Sequence, residues 1–191
     1  LIYRLNYEYA INSVIPRMDY VLPISHYIQD YYDQKEIKTF VVPIMADTQE
    51  YDNAHYDHAE LIKIVYPANG MVKDNLNDML EALCQLPEKN RKILEFHITG
   101  VKKETICESI LERVQASLKG RFIIHEWLDY DELINLYKNT DFLLLARKTC
   151  QMTLANFPSK VPEVMTYGVI PIVSRVGDYT KYYLTNDVDS I

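Results

Sequence analysis

The amino-acid sequence predicts an α/β protein with a Rossmann-like, doubly wound parallel sheet. From residue 61 onward, short apolar segments alternate with amphipathic segments of helical spacing. The apolar segments show little polar alternation, which is typical of parallel strands that are covered on both faces. With 191 residues, of which 48% are hydrophobic, the chain is long enough for one large domain or for one domain and part of another.

The first 46 residues lie before this regular alternation and predict a smaller unit. In chain order we predict a helix over residues 1–14, a short buried strand over 20–24, a helix that Ser25 caps and that runs through Tyr32, and a second strand over 40–45. Serine is favoured at a helix N-cap because its hydroxyl accepts a hydrogen bond from a first-turn amide. Residues 47–60 are polar and predict a linker.

The second part of the chain predicts five strands joined by helices. The strands are Leu61–Tyr66, Leu94–Thr99, Phe122–His125, Asp141–Ala146 and Val169–Ser174, and the helices begin at Lys73, Cys107, Asp129, just after Ser159 and at Tyr179. The first of these helices has apolar residues at the i, i+3, i+4, i+7 spacing, and Asp129 with Glu132 forms a capping-box pattern.

Ligands of doubly wound sheets bind beyond the carboxyl ends of the strands, so the loops that follow the strands are the candidate sites. These loops are residues 67–73, 100–104, 126–129, 147–159 and 174–178.

Composition excludes several classes of function. A net charge of −7 and a pI near 5.2 argue against nucleic-acid binding, which usually requires a basic face. Three scattered cysteines are typical of a reduced, cytoplasmic chain, and no apolar segment approaches the length of a membrane span. The sequence contains no GxGxxG, Walker, HExxH or GxSxG motif. The five histidines form no metal-ligand pattern, and we expect His55 and His58 to be a solvated pair rather than a metal site.

The segment Phe157–Glu163 carries the strongest indication of a ligand site. Lys160 and Glu163 are three residues apart and therefore lie on one face of the predicted helix. The amides of Ser159 and Lys160, at the start of this helix, suit an anion. A phosphate at these amides, with a carboxylate one turn further on and within reach of ribose hydroxyls, forms a workable nucleotide-sugar site.

Two basic residues follow predicted strands. Lys73 comes after a strand and a glycine-containing loop, where its ammonium group either neutralises a diphosphate or remains solvated. Arg147 comes directly after a strand, where it forms either an ordinary salt bridge or a contact with phosphate. Spacing alone leaves both alternatives open for each residue.

Five positions near the carboxyl end form one pattern: Pro158, Lys160, Glu163, Gly168 and Pro171. This pattern resembles the donor-binding signature of GT-B glycosyltransferases, especially the large retaining family 4, the group 1 glycosyltransferases. Three other segments are similar to elements of that family, namely Asp19–Ser25 to the last strand of the N-terminal domain, Val42–Asp47 to the crossover between domains, and Tyr66–Asp74 to the loop that opens the C-terminal domain.

The resemblance implies roles for individual residues. Glu163 would hold the ribose of the donor, and Lys73 and Arg147 would contact its diphosphate as the catalytic residues. Gly100 would allow the backbone to approach the ligand. Trp127 and Leu128 occupy the segment that reads the base in the family, although a lone tryptophan is equally consistent with packing.

The chain departs from the family pattern in the region of the donor sugar. The family has two glutamates with seven residues between them, and the first position falls on Ala155. The donor-sugar region would then consist of Ala155 and the neighbouring Asn156, and either Asn156 or Thr153 would substitute for the missing carboxylate. The arginine that many members carry before the lysine is also absent, since this region is Ala68–Asn69.

The resemblance implies a GT-B architecture for a longer protein. Residues 1–46 would be the end of the N-terminal domain with its crossover, 47–60 a linker, and 61–191 a nucleotide-sugar-binding domain. The expected activity of the full-length protein is that of a hexosyltransferase. It would transfer a sugar with retention, from a nucleotide diphosphate to a hydroxyl of a glycan, lipid or small-molecule acceptor, in polysaccharide or glycoconjugate biosynthesis.

We expect the fragment alone to be inactive, to need no metal or other cofactor and to be cytoplasmic. Any contact of the full-length protein with the inner face of a membrane would be made through the missing N-terminal domain. Two alternatives stay open. One is a nucleotide-sugar epimerase of the same fold, and the other is a non-catalytic, glycosyltransferase-like scaffold, which Ala155 and the missing arginine favour.

Overall fold

The computed structural model describes residues 2–47, 60–70 and 73–183. Its strands are β1 (Ile62–Pro67), β2 (Leu94–Thr99), β3 (Phe122–His125), β4 (Phe142–Leu145) and β5 (Ile170–Val173). They form one sheet in the order β3-β2-β1-β4-β5, and every neighbouring pair is parallel. The predicted fold class and the five predicted strands of the second part are confirmed.

The helices that the structure describes follow the predicted alternation. They are α1 (Ile2–Tyr9), α2 (His26–Asp33), α3 (Leu76–Gln85), α4 (Glu88–Arg91), α5 (Glu108–Leu118), α6 (Tyr130–Lys138), α7 (Gln151–Ala155), α8 (Lys160–Met165) and α9 (Tyr179–Tyr183). The capping box of α6 is present, with Asp129 Oδ1 2.9 Å from the Glu132 amide and Glu132 Oε2 3.0 Å from the Asp129 amide. Ser25 caps α2 as predicted, because its hydroxyl accepts a hydrogen bond from the amide of Ile28.

Strand order reverses at β1, and this reversal determines where a ligand can bind. The chain goes from β1 to β2 and β3 on one side and then crosses to β4 and β5 on the other. The register joins Ile64 to both Phe96 and Phe142. Connections leave β1 and β4 in opposite directions, so a crevice opens beyond the carboxyl ends of these two strands.

The core lies between the sheet and the helices on its two faces. Val65, Tyr66 and Ile98 of the central strands are fully buried. The apolar faces of α3 and α5 are also buried, and their residues are Leu76, Met79, Leu80, Leu83, Ile110, Leu111, Val114 and Leu118. Cys107, predicted as the start of α5, is the exposed N-cap residue just before that helix.

Two predictions for the first 46 residues are wrong, because neither 20–24 nor 40–45 is a strand. The two segments are linked by an isolated parallel bridge between Val21 and Thr39, with three backbone hydrogen bonds around it. Phe40 and Met45 are 67% and 75% exposed. A longer strand needs a neighbour that pairs its amides along its whole length, whereas the bridge found here joins one residue of each segment.

The predicted helix over 1–14 begins as α1 and continues as a π-helical turn (Ala10–Val14), followed by a 3-10 turn (Ile15–Arg17). Most of the predicted linker, residues 48–59, lies outside the described residues, as do His55 and His58.

Two further boundaries differ from prediction around the crevice. Helix α3 begins at Leu76 rather than Lys73, because the backbone of Asp74 forms an antiparallel bridge with Arg147 and is therefore extended. Helix α7 lies within the predicted loop 147–159, and the pattern of apolar spacing did not indicate a helix of five residues.

Helix α2 is joined to the sheet domain by hydrogen bonds at its N-terminus. Ser25 Oγ donates to the carbonyl of Ala155 at 2.9 Å. The backbone amide of His26 donates to the carboxylate of Asp178, and the Nδ1 atom of the His26 ring lies 2.7 Å from Asp178 Oδ2. Burial raises the pKa of Asp178, but hydrogen bonds from the His26 amide, from Lys181 and from the His26 ring outweigh it and keep this pKa below its ordinary value. The carboxylate therefore stays charged and holds α2 against the turn before α9.

The turn before α9 contains Gly177, and a substitution there tests how closely this turn packs on α7. Gly120 is the matched control. Both have positive φ, +86° and +87°, so alanine is strained to a similar extent at either position. A Cβ at Gly177 would lie 2.9 Å from the carbonyl oxygen of Thr153, whereas a Cβ at Gly120 would meet nothing within 4 Å. We expect Gly177→Ala to lower the free energy of unfolding by about 1–3 kcal/mol more than Gly120→Ala, measured by urea denaturation. Equal losses for the two variants would contradict this packing.

Candidate active site

A cavity of about 540 Å³ opens beyond the carboxyl ends of β1 and β4. Its base is formed by Pro67 at the end of β1 and by Leu143 and Leu145 of β4. Eight of the residues predicted from the sequence line it: Lys73, Gly100, Trp127, Leu128, Arg147, Asn156, Ser159 and Lys160. The structure thus brings together residues from four of the five predicted loops, and Lys160 of α8, at the place where the strand order reverses.

A buried ion pair between Asp74 and Arg147 forms one side of this cavity. Arg147 Nε lies 3.0 Å from Asp74 Oδ1, and the two side chains are only 5% and 0% exposed. Arg147 Nη1 also donates to Asn156 Oδ1 at 2.8 Å, and Tyr66 donates its hydroxyl hydrogen to Asp74 Oδ2 at 2.8 Å. The arrangement satisfies both charged groups, which buried charges require.

Tyr66 supplies a neutral donor to this pair. Burial raises the pKa of its hydroxyl well above the ordinary value of 10.0, and the neighbouring charge of Asp74 raises it further. The hydroxyl therefore keeps its proton, and its oxygen also accepts a hydrogen bond from the amide of Gly70. Tyr66 in this way connects the loop after β1 to the ion pair.

The main chain of Arg147 is fixed as firmly as its side chain. Its amide donates to Ser174 Oγ at 2.8 Å, and the Tyr179 hydroxyl donates to the carbonyl of Ser174. The amide of Lys148 donates to the carbonyl of Lys73, which holds the loop after β4 against the loop after β1. Of the two alternatives for Arg147, the salt bridge is observed, and contact with a phosphate stays a prediction.

Lys73 is the lining cation that has no ion-pair partner within 4 Å among the described residues. Arg147 is balanced by Asp74, and Lys160 by Glu163. The unbalanced positive charge at the cavity is therefore that of Lys73, where an anionic ligand would be most favoured.

Lys160 and Glu163 lie on one face of α8, as their spacing predicts. Lys160 Nζ is 2.9 Å and 3.1 Å from the two carboxylate oxygens of Glu163. Lys160 lines the cavity, whereas Glu163 lies behind it and reaches the cavity through this pair. Glu163 is partly exposed at 26%, so a ligand that displaces Lys160 could take its place on the carboxylate.

Helix α8 offers a small set of amides to an anion. The amides of Val161 and Glu163 already donate to the carbonyls of Pro158 and Ser159, and Pro162 has no N–H. An anion at this end of the helix would therefore meet the amides of Ser159 and Lys160, which are the two predicted from the sequence.

Gly100 and Trp127 form the opposite side of the cavity. Gly100 has φ +79°, and its amide donates to the carbonyl of His125 at 3.3 Å, which brings the loop after β2 against the loop after β3. The side chain of Trp127 is 85% exposed at the rim, so it does not pack in the core. Leu128 lines the cavity beside it.

Ala155 and Asn156 lie on opposite sides of the same backbone. Asn156 lines the cavity and accepts a hydrogen bond from Arg147. Ala155 instead lines a separate cleft between α7 and α2, beside Tyr27 and Tyr31. Asn156 therefore lines the cavity whereas the Ala155 side chain does not, and a role of either residue in binding a donor sugar stays a prediction.

The sequence predicted no role for Asp74 or Tyr66, although both belong to the segment Tyr66–Asp74 that includes the loop after β1. The only signal was an acidic residue directly after Lys73, and its partner Arg147 is 73 positions away.

No group of three His, Cys, Asp or Glu side chains within the described ranges is arranged to hold a metal ion. None of the helices in the described part of the chain is long and apolar enough to cross a membrane.

The sequence profile of the family described as "Glycosyl transferases group 1" matches residues 48–188. The fold is also similar to solved structures of GT-B glycosyltransferases. One is WaaG, a glycosyltransferase involved in lipopolysaccharide biosynthesis, with 15% identity over 95% of this chain and 53% of that chain and a TM-score of 0.67. A glycosyltransferase from Rickettsia africae ESF-5 has 15% identity over 97% of this chain and 52% of that one, also with a TM-score of 0.67.

The pneumococcal O-GlcNAc transferase GtfA, solved with UDP and GlcNAc, has 11% identity over 95% of this chain and 35% of that chain, with a TM-score of 0.62. No curated protein sequence matches the chain. The chain spans about half the length of WaaG and of the Rickettsia africae protein.

Removing one partner of the buried ion pair should destabilise the whole domain. We expect Asp74→Asn to lower the free energy of unfolding by about 3–5 kcal/mol, because Arg147 would remain buried without a counter-charge. Urea denaturation measures this loss. Glu88→Gln, which removes an exposed partner of Lys92, is the control and should leave the transition unchanged.

The double variant Asp74→Leu/Arg147→Met tests whether the loss comes from the unpaired charge. Its loss should be smaller than the sum of the two single losses, because no charge is left buried. Additive losses would show that the two side chains do not interact in the folded protein.

Proposed function

The chain belongs to the group 1 glycosyltransferase family, and from this premise we propose that it binds the donor nucleotide sugar of a hexosyltransferase. In the complete protein, a sugar would pass from a nucleotide diphosphate to an acceptor hydroxyl with retention of anomeric configuration. One observation carries the proposal. The cavity at the reversal of strand order combines an unbalanced lysine, two available helix amides and a lysine–glutamate pair.

The diphosphate would lie between Lys73 and the start of α8. Lys73 supplies a positive charge without a carboxylate partner among the described residues, and the amides of Ser159 and Lys160 supply directed donors. Both groups line the cavity. This arrangement supports a doubly phosphorylated ligand better than a neutral one.

The ribose would be held by Glu163. A carboxylate accepts hydrogen bonds from two neighbouring hydroxyls, and Lys160 already fixes both of its oxygens in one orientation. On binding, the ribose hydroxyls would replace part of the contact with Lys160, whose ammonium group would turn towards the phosphate. The base would then lie near Leu128, with Trp127 at the rim.

In the transfer step, negative charge develops on the departing diphosphate. Donors that are already oriented stabilise such charge without reorganisation. Lys73 and the α8 amides would provide this stabilisation. Arg147 would contribute as a rigid hydrogen-bond donor rather than as a free cation, because Asp74 balances its charge. Asn156, held by Arg147, would face the donor sugar in place of the missing glutamate. No step requires a metal ion.

The pathway follows by analogy with the similar structures. WaaG is described as acting in lipopolysaccharide biosynthesis, and GtfA as an O-GlcNAc transferase. These similarities support the proposal that this protein acts in polysaccharide or glycoconjugate biosynthesis, with a glycan, lipid or small-molecule acceptor.

Calorimetric titration with UDP, GDP and ADP tests the proposal. We expect one of the three to bind, and Glu163→Ala to weaken that binding at least about tenfold, which corresponds to about 1.4 kcal/mol. Lys73→Ala should weaken binding of the diphosphate to a similar extent but leave binding of the nucleoside nearly unchanged, because only the phosphates contact Lys73.

The control is Lys92→Ala, which removes an exposed lysine from an equivalent lysine–glutamate pair on α4. This variant should bind like the wild type. Absence of binding to all three nucleotides at millimolar concentration, or equal weakening by Lys92→Ala and Glu163→Ala, would contradict the proposed donor site.

A further inference from the structure

A second cluster of titratable side chains lies on the same sheet, beside the proposed base site. Glu95 and His97 belong to β2, and His125 is the last residue of β3. His97 Nε2 lies 2.9 Å from Glu95 Oε1, and His97 Nδ1 lies 3.0 Å from His125 Nε2. The two rings are nearly parallel, with an interplanar angle of 7°, and His97 is buried. The three side chains form one continuous hydrogen-bonded chain.

The hydrogen bonds among Glu95, His97 and His125 fix the positions of the protons when both rings are neutral. A carboxylate only accepts, so His97 carries its proton on Nε2. Its Nδ1 then has a lone pair, and His125 must donate from Nε2. Each ring is therefore restricted to one tautomer, and His97 holds His125 in a defined orientation.

His125 is connected in two ways to the cavity beyond the carboxyl ends of β1 and β4. Its carbonyl accepts the hydrogen bond from the amide of Gly100, which lines the cavity. The segment that follows it contains Trp127 and Leu128, which line the cavity as well. Leu128 also lines a smaller cavity of about 280 Å³ that contains both histidines. Leu128 thus separates the histidine pair from the proposed base site.

The charged groups that face the pair come from three elements. Lys63 of β1, Glu95 of β2 and Glu132 of α6 are the charged residues, and Asn135 and Asn139 of α6 are neutral. Burial lowers the pKa of His125 below its ordinary value of 6.5, and the charge of His97 lowers it further, against a smaller opposite effect of Glu132. His125 therefore resists taking up a proton.

Uptake of one proton is compatible with the geometry, because the added proton can occupy Nδ1 of His125 while the proton between His125 Nε2 and His97 Nδ1 stays in place. A second proton would place two N–H groups opposite each other at a separation of 3.0 Å. Neither could then accept, so the hydrogen bond would be lost and the two like charges would repel. His125 would move, and with it the start of the segment that carries Leu128.

We propose that His97 is a positioning residue, which orients His125 and the Trp127–Leu128 segment. Through this segment, protonation of the histidine pair would change how tightly the base of the nucleotide binds in the cavity beyond β1 and β4. This inference rests on the proposed donor site. It goes beyond that site by assigning a role to residues that do not touch the ligand, and by predicting that donor binding weakens in acid.

Nucleotide affinity as a function of pH provides the first test. The nucleotide that binds best would be titrated between pH 8 and pH 5 into the wild type, His97→Gln and Glu95→Gln. Protonation of the nucleotide itself is the same in all three titrations and cancels in the comparison. We expect the wild type to lose at least about fivefold more affinity than His97→Gln over this range. In Glu95→Gln the fall in nucleotide affinity should occur at a pH different from that in the wild type, because the negative charge next to His97 has been removed.

NMR provides a readout that does not depend on donor binding. In the free wild-type protein, the Leu128 amide and the Trp127 indole signals should shift with the same midpoint as the imidazole signals of His125. In His97→Gln this shared titration should disappear. A Leu128 amide that is insensitive to pH, or that titrates identically in wild type and His97→Gln, would overturn the inference even if nucleotides bind. A shared titration without nucleotide binding would uphold the positioning role and contradict the donor site alone.

The stability of the fold has a pH dependence of the same origin. Since the pKa of His125 is lower in the folded than in the unfolded chain, the unfolded chain binds more protons between these two pKa values. The contribution of neutral His125 to the free energy of unfolding is therefore complete above pH 6.5 and decreases as the pH falls towards the folded-state pKa. His125→Asn should reduce this decrease, and urea denaturation at pH 7.5 and pH 5.5 measures it. A decrease as large in the variant as in the wild type would show that His125 is not its source.

Discussion

The buried contact between Asp74 and Arg147 is the interaction on which the candidate site depends. It joins the loop after β1 to the loop after β4, the two strands between which the order of the sheet reverses. Burying two charges is costly, and this pair is complete only because Tyr66 and Asn156 satisfy the remaining hydrogen-bonding groups. The same contacts orient Asn156 towards the cavity and keep the backbone of Asp74 extended, so that α3 begins at Leu76 rather than at Lys73. Local helix boundaries near the crevice are thus consequences of one long-range electrostatic contact.

This pairing also determines how charge is distributed around the cavity. Arg147 and Lys160 each have a carboxylate partner, whereas Lys73 has none within the described residues. A site with three unbalanced cations would bind many anions with little discrimination. Here two of the three basic groups act mainly as oriented hydrogen-bond donors, and the arrangement of donors rather than total charge would select the ligand. An acidic protein with a net charge of −7 can therefore still offer a site for a phosphorylated compound.

The parts of the structure that could be predicted from the sequence are those determined locally. The strands of the second part, the capping box of α6 and the shared face of Lys160 and Glu163 follow from periodicity, hydrogen-bonding preference and a spacing of three. The loops that line the cavity could be predicted as well, because parallel topology fixes which ends of the strands meet.

The Asp74–Arg147 pair could not be predicted in this way, because its partners are 73 positions apart and each sequence environment is compatible with a solvated charge. The side to which Ala155 points was equally inaccessible, since it depends on α7, a helix too short to leave a periodic pattern. The predictions for residues 20–24 and 40–45 failed for a related reason, because apolar composition identifies a strand only when a partner strand is present.

The attachment of α2 has a consequence for the order of folding. The bonds from Ser25 to Ala155 and from His26 to Asp178 close intervals of 130 and 152 residues. Bringing together positions so far apart costs more chain entropy than the contacts between neighbouring strands. These bonds also require α7 and the turn at Gly177 to be in place first. We therefore expect docking of the first segment to be a late event in folding, since a chain growing from its N-terminus would carry α2 without its partners until nearly the whole sheet domain has been synthesised.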